Sequence, residues 1–158
     1  KNPDARFLFI GDGPLRQRME YQVIASGLNG QLALPGWRRD IPEILAASDI
    51  FVLTSLWEGL PRALVEAMKT GLTPVCYATD GVSDLIKDGE NGFIIPPGNI
   101  SLMAEKVLLL LGDSALRKRM GENAAQSITG EFDIDEMVRA QERLYGECMG
   151  LLCGPAQN

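Results

Sequence analysis

The 158-residue sequence predicts an open, doubly wound α/β domain, a Rossmann-like parallel sheet with helices on both faces. Two observations carry that reading. Short apolar runs of strand character alternate with amphipathic segments of helix length as far as Ile95, and most of the runs stop at glycine or proline, where a strand can hand over to a helix. Composition agrees. A hydrophobic content of 46% and a mean hydropathy of +0.01 belong to a globular chain, not to a disordered or collagenous one.

Arg6-Phe-Leu-Phe-Ile10 reads as a buried strand ending at Gly11-Asp-Gly-Pro14, with Pro14 placed for the first turn of a helix that runs to Gly27. Gln31-Leu-Ala-Leu34 is a second strand closed by Pro35-Gly36, and Asp40-Ile-Pro-Glu43 opens a helix through Ala47. Ile50 to Thr54 is the third strand. After a loop at Ser55 to Leu60, a helix from Pro61 to Gly71 turns Ala63, Leu64, Ala67 and Met68 inward. Thr73 to Tyr77 is the fourth strand, Gly81-Val-Ser-Asp84 starts a short helix ending at Asp88-Gly89, and Phe93 to Ile95 is the fifth strand, stopped by Pro96-Pro97-Gly98. Helices follow at Ser101 to Leu111, Ser114 to Thr129 and Asp133 to Cys148, each near a capping Ser or Asp. The first of them buries Leu102, Val107, Leu108 and Leu111. The tail from Gly150 to Asn158 has no period and reads as frayed.

Composition also excludes several functions. The longest apolar stretches, Val107 to Leu111 and Ile50 to Leu53, fall far below the roughly 20 residues of a membrane span. A net charge of -6 and a pI near 4.7 argue against nucleic acid as a partner. The chain has no histidine, so an imidazole base, a Ser-His-Asp triad and a His-ligated metal are removed together. Three cysteines, Cys76, Cys148 and Cys153, are an odd number, and Cys76 lies in an apolar strand, which favours a buried thiol and a reduced, cytoplasmic setting. Without an initiator methionine or a signal core, the chain reads as a piece of something longer.

Ligands of doubly wound domains sit beyond the carboxyl ends of the strands, which directs attention to the loops after each strand. In the loop after the third strand stands Glu58, and Glu66 follows seven intervening residues later on the helix, beside the buried Ala67-Met68. With eleven Glu in the chain, spacing alone is a weak signal. Context strengthens it: the loop also brings the amides of Leu60 and the residues after it to a helix N-terminus, where free N–H groups and the dipole suit a phosphate or sugar oxygen. Gly11-Asp-Gly13 is a second anion-friendly turn, but Arg16 stands where a dinucleotide fingerprint has its third glycine. Asp12 reads as a turn former, Arg38-Arg39 as an exposed polar pair, and Arg117-Lys-Arg119 as a solvated helix face. Trp37 either packs beside a bound base or caps the core.

Phe9-Ile-Gly-Asp-Gly-Pro14, Leu34-Pro-Gly-Trp37, Ala47-Ser-Asp-Ile-Phe-Val-Leu-Thr-Ser55, Glu58-Gly-Leu-Pro61 through Glu66-Ala-Met68, Gly89-Glu-Asn-Gly-Phe93 and Pro96-Pro-Gly98 occur in order. Together they resemble the donor-binding domain of retaining family-4 (group 1) glycosyltransferases of GT-B architecture, closest in type to those that build bacterial surface polysaccharides. The resemblance implies that residues 1–149 form the nucleotide-sugar binding domain, cut short on its N-terminal side so that its first strand is missing. It implies that Glu58 faces the donor sugar as the catalytic carboxylate and that Glu66 binds the ribose hydroxyls. Gly59 and Leu60 would meet the sugar through their amides, and Leu64 and Val65 would approach the diphosphate through theirs. Gly36, Trp37 and Arg38 would contact the base, and Gly11 and Gly13 would line the cleft floor. No cofactor or metal enters the scheme; the nucleotide diphosphate sugar is the substrate.

Physical chemistry supports these roles, because a carboxylate accepts paired hydrogen bonds from vicinal hydroxyls and a helix N-terminus stabilises a departing diphosphate. Asp80-Gly-Val-Ser-Asp84 departs from the family's double glycine followed by proline and glutamate. The resemblance also places an arginine and a lysine for the diphosphate upstream of this chain, together with an N-terminal acceptor domain. Transfer with retained configuration by the parent protein, peripheral attachment to the inner face of a membrane through that missing half, and no turnover by the isolated chain are the expectations. Two alternatives stay open, a nucleotide-sugar epimerase and a non-catalytic nucleotide-sugar-binding scaffold. A flavodoxin-like signalling domain lacks its phosphorylatable aspartate.

Overall fold

The structure, a computed structural model, describes residues 3–152. Five strands and seven helices alternate: β1 (Phe7–Ile10), α1 (Arg16–Ala25), β2 (Leu32–Gly36), α2 (Ile41–Ala46), β3 (Ile50–Leu53), α3 (Arg62–Lys69), β4 (Thr73–Tyr77), α4 (Asp80–Ser83), β5 (Phe93–Ile95), α5 (Ile100–Gly112), α6 (Ser114–Ser127) and α7 (Ile134–Leu152). A 3-10 turn at Gly130–Phe132 precedes α7. Every ladder is parallel, as expected.

The strands form two separate sheets, β1-β2 and β3-β4-β5. Phe7 pairs with Leu32 in the first; Ile50 pairs with Thr73 and Val75 with Phe93 in the second. Among the described residues no ladder joins β1 to β3, so each presents an unpaired edge at the middle of the domain. The consequence shows in burial. β4 is buried at all five positions, whereas the four apolar side chains of β1 are 36–51% exposed and α1 has no buried residue. Arg6 to Ile10 therefore has the sequence of a buried strand without the cover that such a strand needs.

The core lies around β4. Cys76 joins Leu64 and Met68 of α3, Val82 and Ala124 on one face; Val75 and Tyr77 join Ile95, Met103, Leu110 and Met120 on the other. Helix α6 serves both layers, Met120 on one side and Ala124 on the other. It can do so because glycine meets glycine: a Cβ on Gly121 would lie 2.1 Å from the Gly71 carbonyl oxygen. The two polar residues of the core, Asn91 and Thr73, are satisfied. Asn91 accepts from the Lys87 amide at 2.7 Å and donates to Leu85 O and Ser127 Oγ, both at 3.1 Å. Thr73 donates its hydroxyl to the Arg117 carbonyl at 2.7 Å.

Several expectations need correction. On α5 the buried residues are Met103 and Leu110, with Leu102 and Val107 on the flank; Leu108 faces outward, because the sheet meets the helix on a face rotated from the expected one. Ala63 is likewise exposed on α3. Helix α4 stops at Ser83 instead of continuing to Asp88, since the Asn91 side chain takes the Lys87 amide and Asp88 Oδ1 accepts from Ile94 N at 2.9 Å. Arg117 is no solvated residue: it donates to Leu110 O at 2.6 Å, capping α5, and pairs with Asp49 at 3.3 Å. The tail expected to fray from Gly150 is helical through Leu152, because the apolar period of α7 continues through Tyr145, Cys148 and Met149; residues 153–158, with Cys153, lie outside the described residues. No helix among the described residues is long and apolar enough to cross a membrane.

Burial pushes the Cys76 thiol up to about 12, against an ordinary value of 9.0, with a backbone hydrogen bond at Leu53 opposing the shift. Above the ordinary value the unfolded chain sheds a proton that the folded chain keeps, so this thiol makes stability fall as pH rises from about 9 to about 12. Below that window it contributes no slope. We expect the thermal midpoint of the wild type to fall more steeply between about pH 9 and 12 than that of Cys76→Ala, as read by circular dichroism. Parallel curves would show that the thiol is hydrated in the folded state.

Candidate functional site

The carboxyl ends of the strands carry two groups of candidate residues, one for each sheet. In the first group Gly11 (φ +126°) and Gly36 (φ +76°) adopt backbone conformations closed to most side chains, and Gly11 N donates to Gly36 O at 3.0 Å. Asp12 accepts from Gly13 N at 2.8 Å, the turn-forming role its position suggests. Arg16 locks the group together. Its guanidinium donates to Leu34 O at 2.8 Å, Glu20 at 2.8 Å and Asp12 at 3.3 Å, and a Cβ on Gly36 would sit 2.9 Å from Arg16 NH1. In the sequence Arg16 reads only as the residue displacing a fingerprint glycine; its reach across eighteen positions to β2 is a tertiary fact.

Trp37 is 83% exposed, so it does not cap the core. Arg38 is engaged locally. Its Nε donates to Asp40 Oδ1 at 2.8 Å and its Nη2 to Oδ2, a fork that holds the Asp40 carboxyl below the usual carboxylate range and raises its own affinity for its proton. Asp40 precedes α2, and with its carboxylate taken by Arg38 its side chain makes no helix-capping bond.

The second group is built on the β3–α3 loop. Glu58 is half-buried and has no hydrogen bond or ion pair with the described residues. Trp57 beside it is 86% exposed. Pro61, buried and without an N–H, sits at the N-cap of α3, and its carbonyl accepts from Leu64 N at 2.9 Å and Val65 N at 3.2 Å. The amides of Leu64 and Val65, expected near the diphosphate, thus already have an acceptor inside the helix. The amides of Gly59 and Leu60 in the loop, and of Arg62 and Ala63 at the helix start, have no acceptor among the described residues.

Glu66 projects from α3 beside the buried Leu64, Ala67 and Met68, its side chain 46% exposed and 3.7 Å from Arg62. With Lys69 it lines a groove of about 470 Å³, walled by Pro42 and Leu45 of α2 and by Ile128 and Phe132. Glu58 does not line that groove, so the two carboxylates share a loop and helix but not one pocket. Among the described residues no hydrogen bond or ion pair connects the first group with the second; they stand on separate sheets. Thr79, before α4, keeps a buried hydroxyl without a partner among the described residues, an unsatisfied group of the kind that accompanies functional loops. No three Cys, Asp or Glu side chains among the described residues converge to hold a metal ion.

An alternating parallel fold with uncommitted amides and a free carboxylate at the carboxyl end of a strand is built to bind an anionic, hydroxyl-rich ligand. Comparison with known proteins agrees. The chain belongs to the family Glycosyl transferases group 1, whose model matches residues 1–127. It is 38% identical over 144 residues to the UDP-Gal:alpha-D-GlcNAc-diphosphoundecaprenol alpha-1,3-galactosyltransferase of Escherichia coli, covering 90% of this chain and 37% of the relative. It is 36% identical over 133 residues to the alpha-D-kanosaminyltransferase of Streptomyces kanamyceticus, covering 83% of this chain and 34% of that one. Among solved structures it superposes on Anabaena HepE, determined in complex with UDP and glucose, with a TM-score of 0.86, 25% identity and coverage of 92% of this chain and 41% of that one. It also matches the C-terminal domain of a group 1 protein, LpcC, from Francisella tularensis, at a TM-score of 0.77 and 28% identity, covering 85% of this chain and 73% of that domain. Its fold is thus that of a GT-B glycosyltransferase domain, and it spans little more than a third of the curated relatives named here.

Arg38→Gln removes the fork that depresses Asp40. The Asp40 carboxyl should then titrate at a higher pH, nearer its ordinary value, in carboxyl-carbon NMR. An unchanged titration would mean that solvent had already dissolved the pair.

Proposed function

We propose that this chain is the donor-binding unit of a retaining glycosyltransferase that moves a sugar from a nucleotide diphosphate sugar to a glycan or lipid-linked acceptor. The observation that carries the reading is the β3–α3 loop, where a half-buried Glu58, unpaired among the described residues, directly precedes the free amides of Gly59, Leu60, Arg62 and Ala63. The amides and the α3 dipole stabilise negative charge on the departing diphosphate; Glu58 faces the sugar, and Glu66 takes vicinal ribose hydroxyls at the rim of its groove. The nucleoside diphosphate leaves from the face on which the acceptor enters, so retention needs no covalent glutamate adduct. No metal is required by this arrangement. The UDP held by HepE and the UDP-sugar in the name of the Escherichia coli relative support a nucleotide-sugar donor.

The same reading accounts for the divided sheet. The parent protein supplies one parallel strand between β1 and β3, a cationic pair for the diphosphate, and the acceptor-binding half, so the isolated chain binds donor but does not turn it over. The diphosphoundecaprenol acceptor in that relative's name supports a lipid-carried acceptor, reached from the cytoplasmic face of the membrane.

Glu66→Gln in the full-length protein should weaken UDP-glucose binding about 10- to 100-fold, as loss of charge-assisted hydrogen bonds to the ribose does. Glu58→Gln should leave binding within a few-fold and lower turnover by about a hundredfold or more. Calorimetric titration and a transfer assay read the two effects separately. Wild-type affinity and turnover in both variants would favour a scaffold, and donor conversion without any acceptor would favour an epimerase. Extending the chain by a segment that fills the edge between β1 and β3 should raise the thermal midpoint by several degrees, and no gain would refute the missing strand.

A further inference from the structure

The loop that carries Glu58 meets the turn after β4 at two glycines. A Cβ on Gly81 would lie 1.4 Å from the Gly59 carbonyl oxygen, 2.6 Å from its carbonyl carbon and 3.0 Å from Pro61 Cδ. Backbone touches backbone there, with no flexible side chain to give way. The two sides of the contact differ in what holds them. Gly81 is buried in α4, and its neighbour Val82 is wholly buried in the core cluster that also contains Leu64 and Met68. Gly59 is exposed, nothing would meet a Cβ on it within 4 Å, and no hydrogen bond among the described residues holds positions 55–60. The Glu58 loop therefore takes its position from the wall it rests on.

We propose that Gly81 is a positioning residue: its missing side chain lets the Gly59 carbonyl seat against α4 and so sets where Glu58 and the amides of Gly59 and Leu60 meet the nucleotide-sugar. This rests on the donor-binding reading of that loop. A methyl group at Gly81 would make the loop retreat by about 2 Å to restore ordinary contact, and displacements of about 1 Å in such sites already cost about a hundredfold in rate.

The test compares Gly81→Ala with Gly121→Ala in the full-length protein. Gly121 is a matched control, since its Cβ would also strike a glycine carbonyl, Gly71 O at 2.1 Å, but between α6 and the α3–β4 turn. Two quantities are read: the UDP-glucose dissociation constant, and the fluorine resonance of 5-fluorotryptophan at Trp57, assigned by its loss in Trp57→Phe. Gly81→Ala is expected to shift the Trp57 resonance and raise the dissociation constant tenfold or more. Gly121→Ala should lower the thermal midpoint with the resonance unmoved and affinity within twofold. Equal effects of the two variants on both readouts would overturn the proposal. If the wild type does not bind UDP-glucose, that donor is excluded, and the Trp57 resonance alone then decides: moved by Gly81→Ala it upholds the positioning role, unmoved it refutes it. If Gly81→Ala does not fold, Val82→Ala loosens the buried seat of the α4 wall without adding an atom, and a resonance unshifted there refutes the role in the same way.

Discussion

A parallel strand has to hide both of its faces, and β4 is where this chain meets that requirement in full. Thr73 to Tyr77 is buried at every position because α3 and α4 cover the Cys76 side while α5 and α6 cover the side of Val75 and Tyr77. Around that strand the remaining order follows. α6 wedges against both layers through the Gly71–Gly121 approach, Thr73 ties β4 to α6 through the Arg117 carbonyl, and Arg117 in turn closes the end of α5 and reaches Asp49 before β3. The buried thiol of Cys76, with its ionisation suppressed, reports the same dryness.

The candidate site inherits its geometry from this half of the molecule. α3 is seated by Leu64, Ala67 and Met68, and that seating aims its N-terminal amides at the carboxyl end of the sheet. The loop before it has no hydrogen bonds of its own to the described residues, so its shape is a matter of steric contact with α4. A polar loop held this way keeps its donors free for a ligand. Among the described residues the amides of Arg62 and Ala63 have no acceptor, whereas those of Leu64 and Val65 are taken by Pro61.

The other half is organised differently. β1 and β2 are held to one another, and Arg16 stitches the turn after β1 to the end of β2, but the apolar faces of β1 and α1 lack cover. Burial of apolar area is the main favourable term in folding, and a two-stranded sheet provides little of it. The base-side residues Gly36, Trp37 and Arg38 are thus carried by the less supported sheet, and the sugar-side residues Glu58, Gly59 and Leu60 by the better supported one.

By itself the sequence determined the elements, because strand and helix periods, Gly–Pro stops and capping residues act within a few positions of one another; all five strands and their parallel alternation were legible. The ordered motifs around Glu58 and Glu66 marked the site for the same reason, being local runs. Tertiary structure decided the rest. Which face of α5 is buried depends on the sheet it meets, so Met103 and Leu110 lie inside where Leu108 was expected. Arg117 became a helix cap because a carbonyl seven residues away and an aspartate from another element came within reach. The contact of Gly81 with Gly59 and the division of the sheet at β1 and β3 depend on separations that no window of sequence spans, since backbone packing joins residues that are distant along the chain.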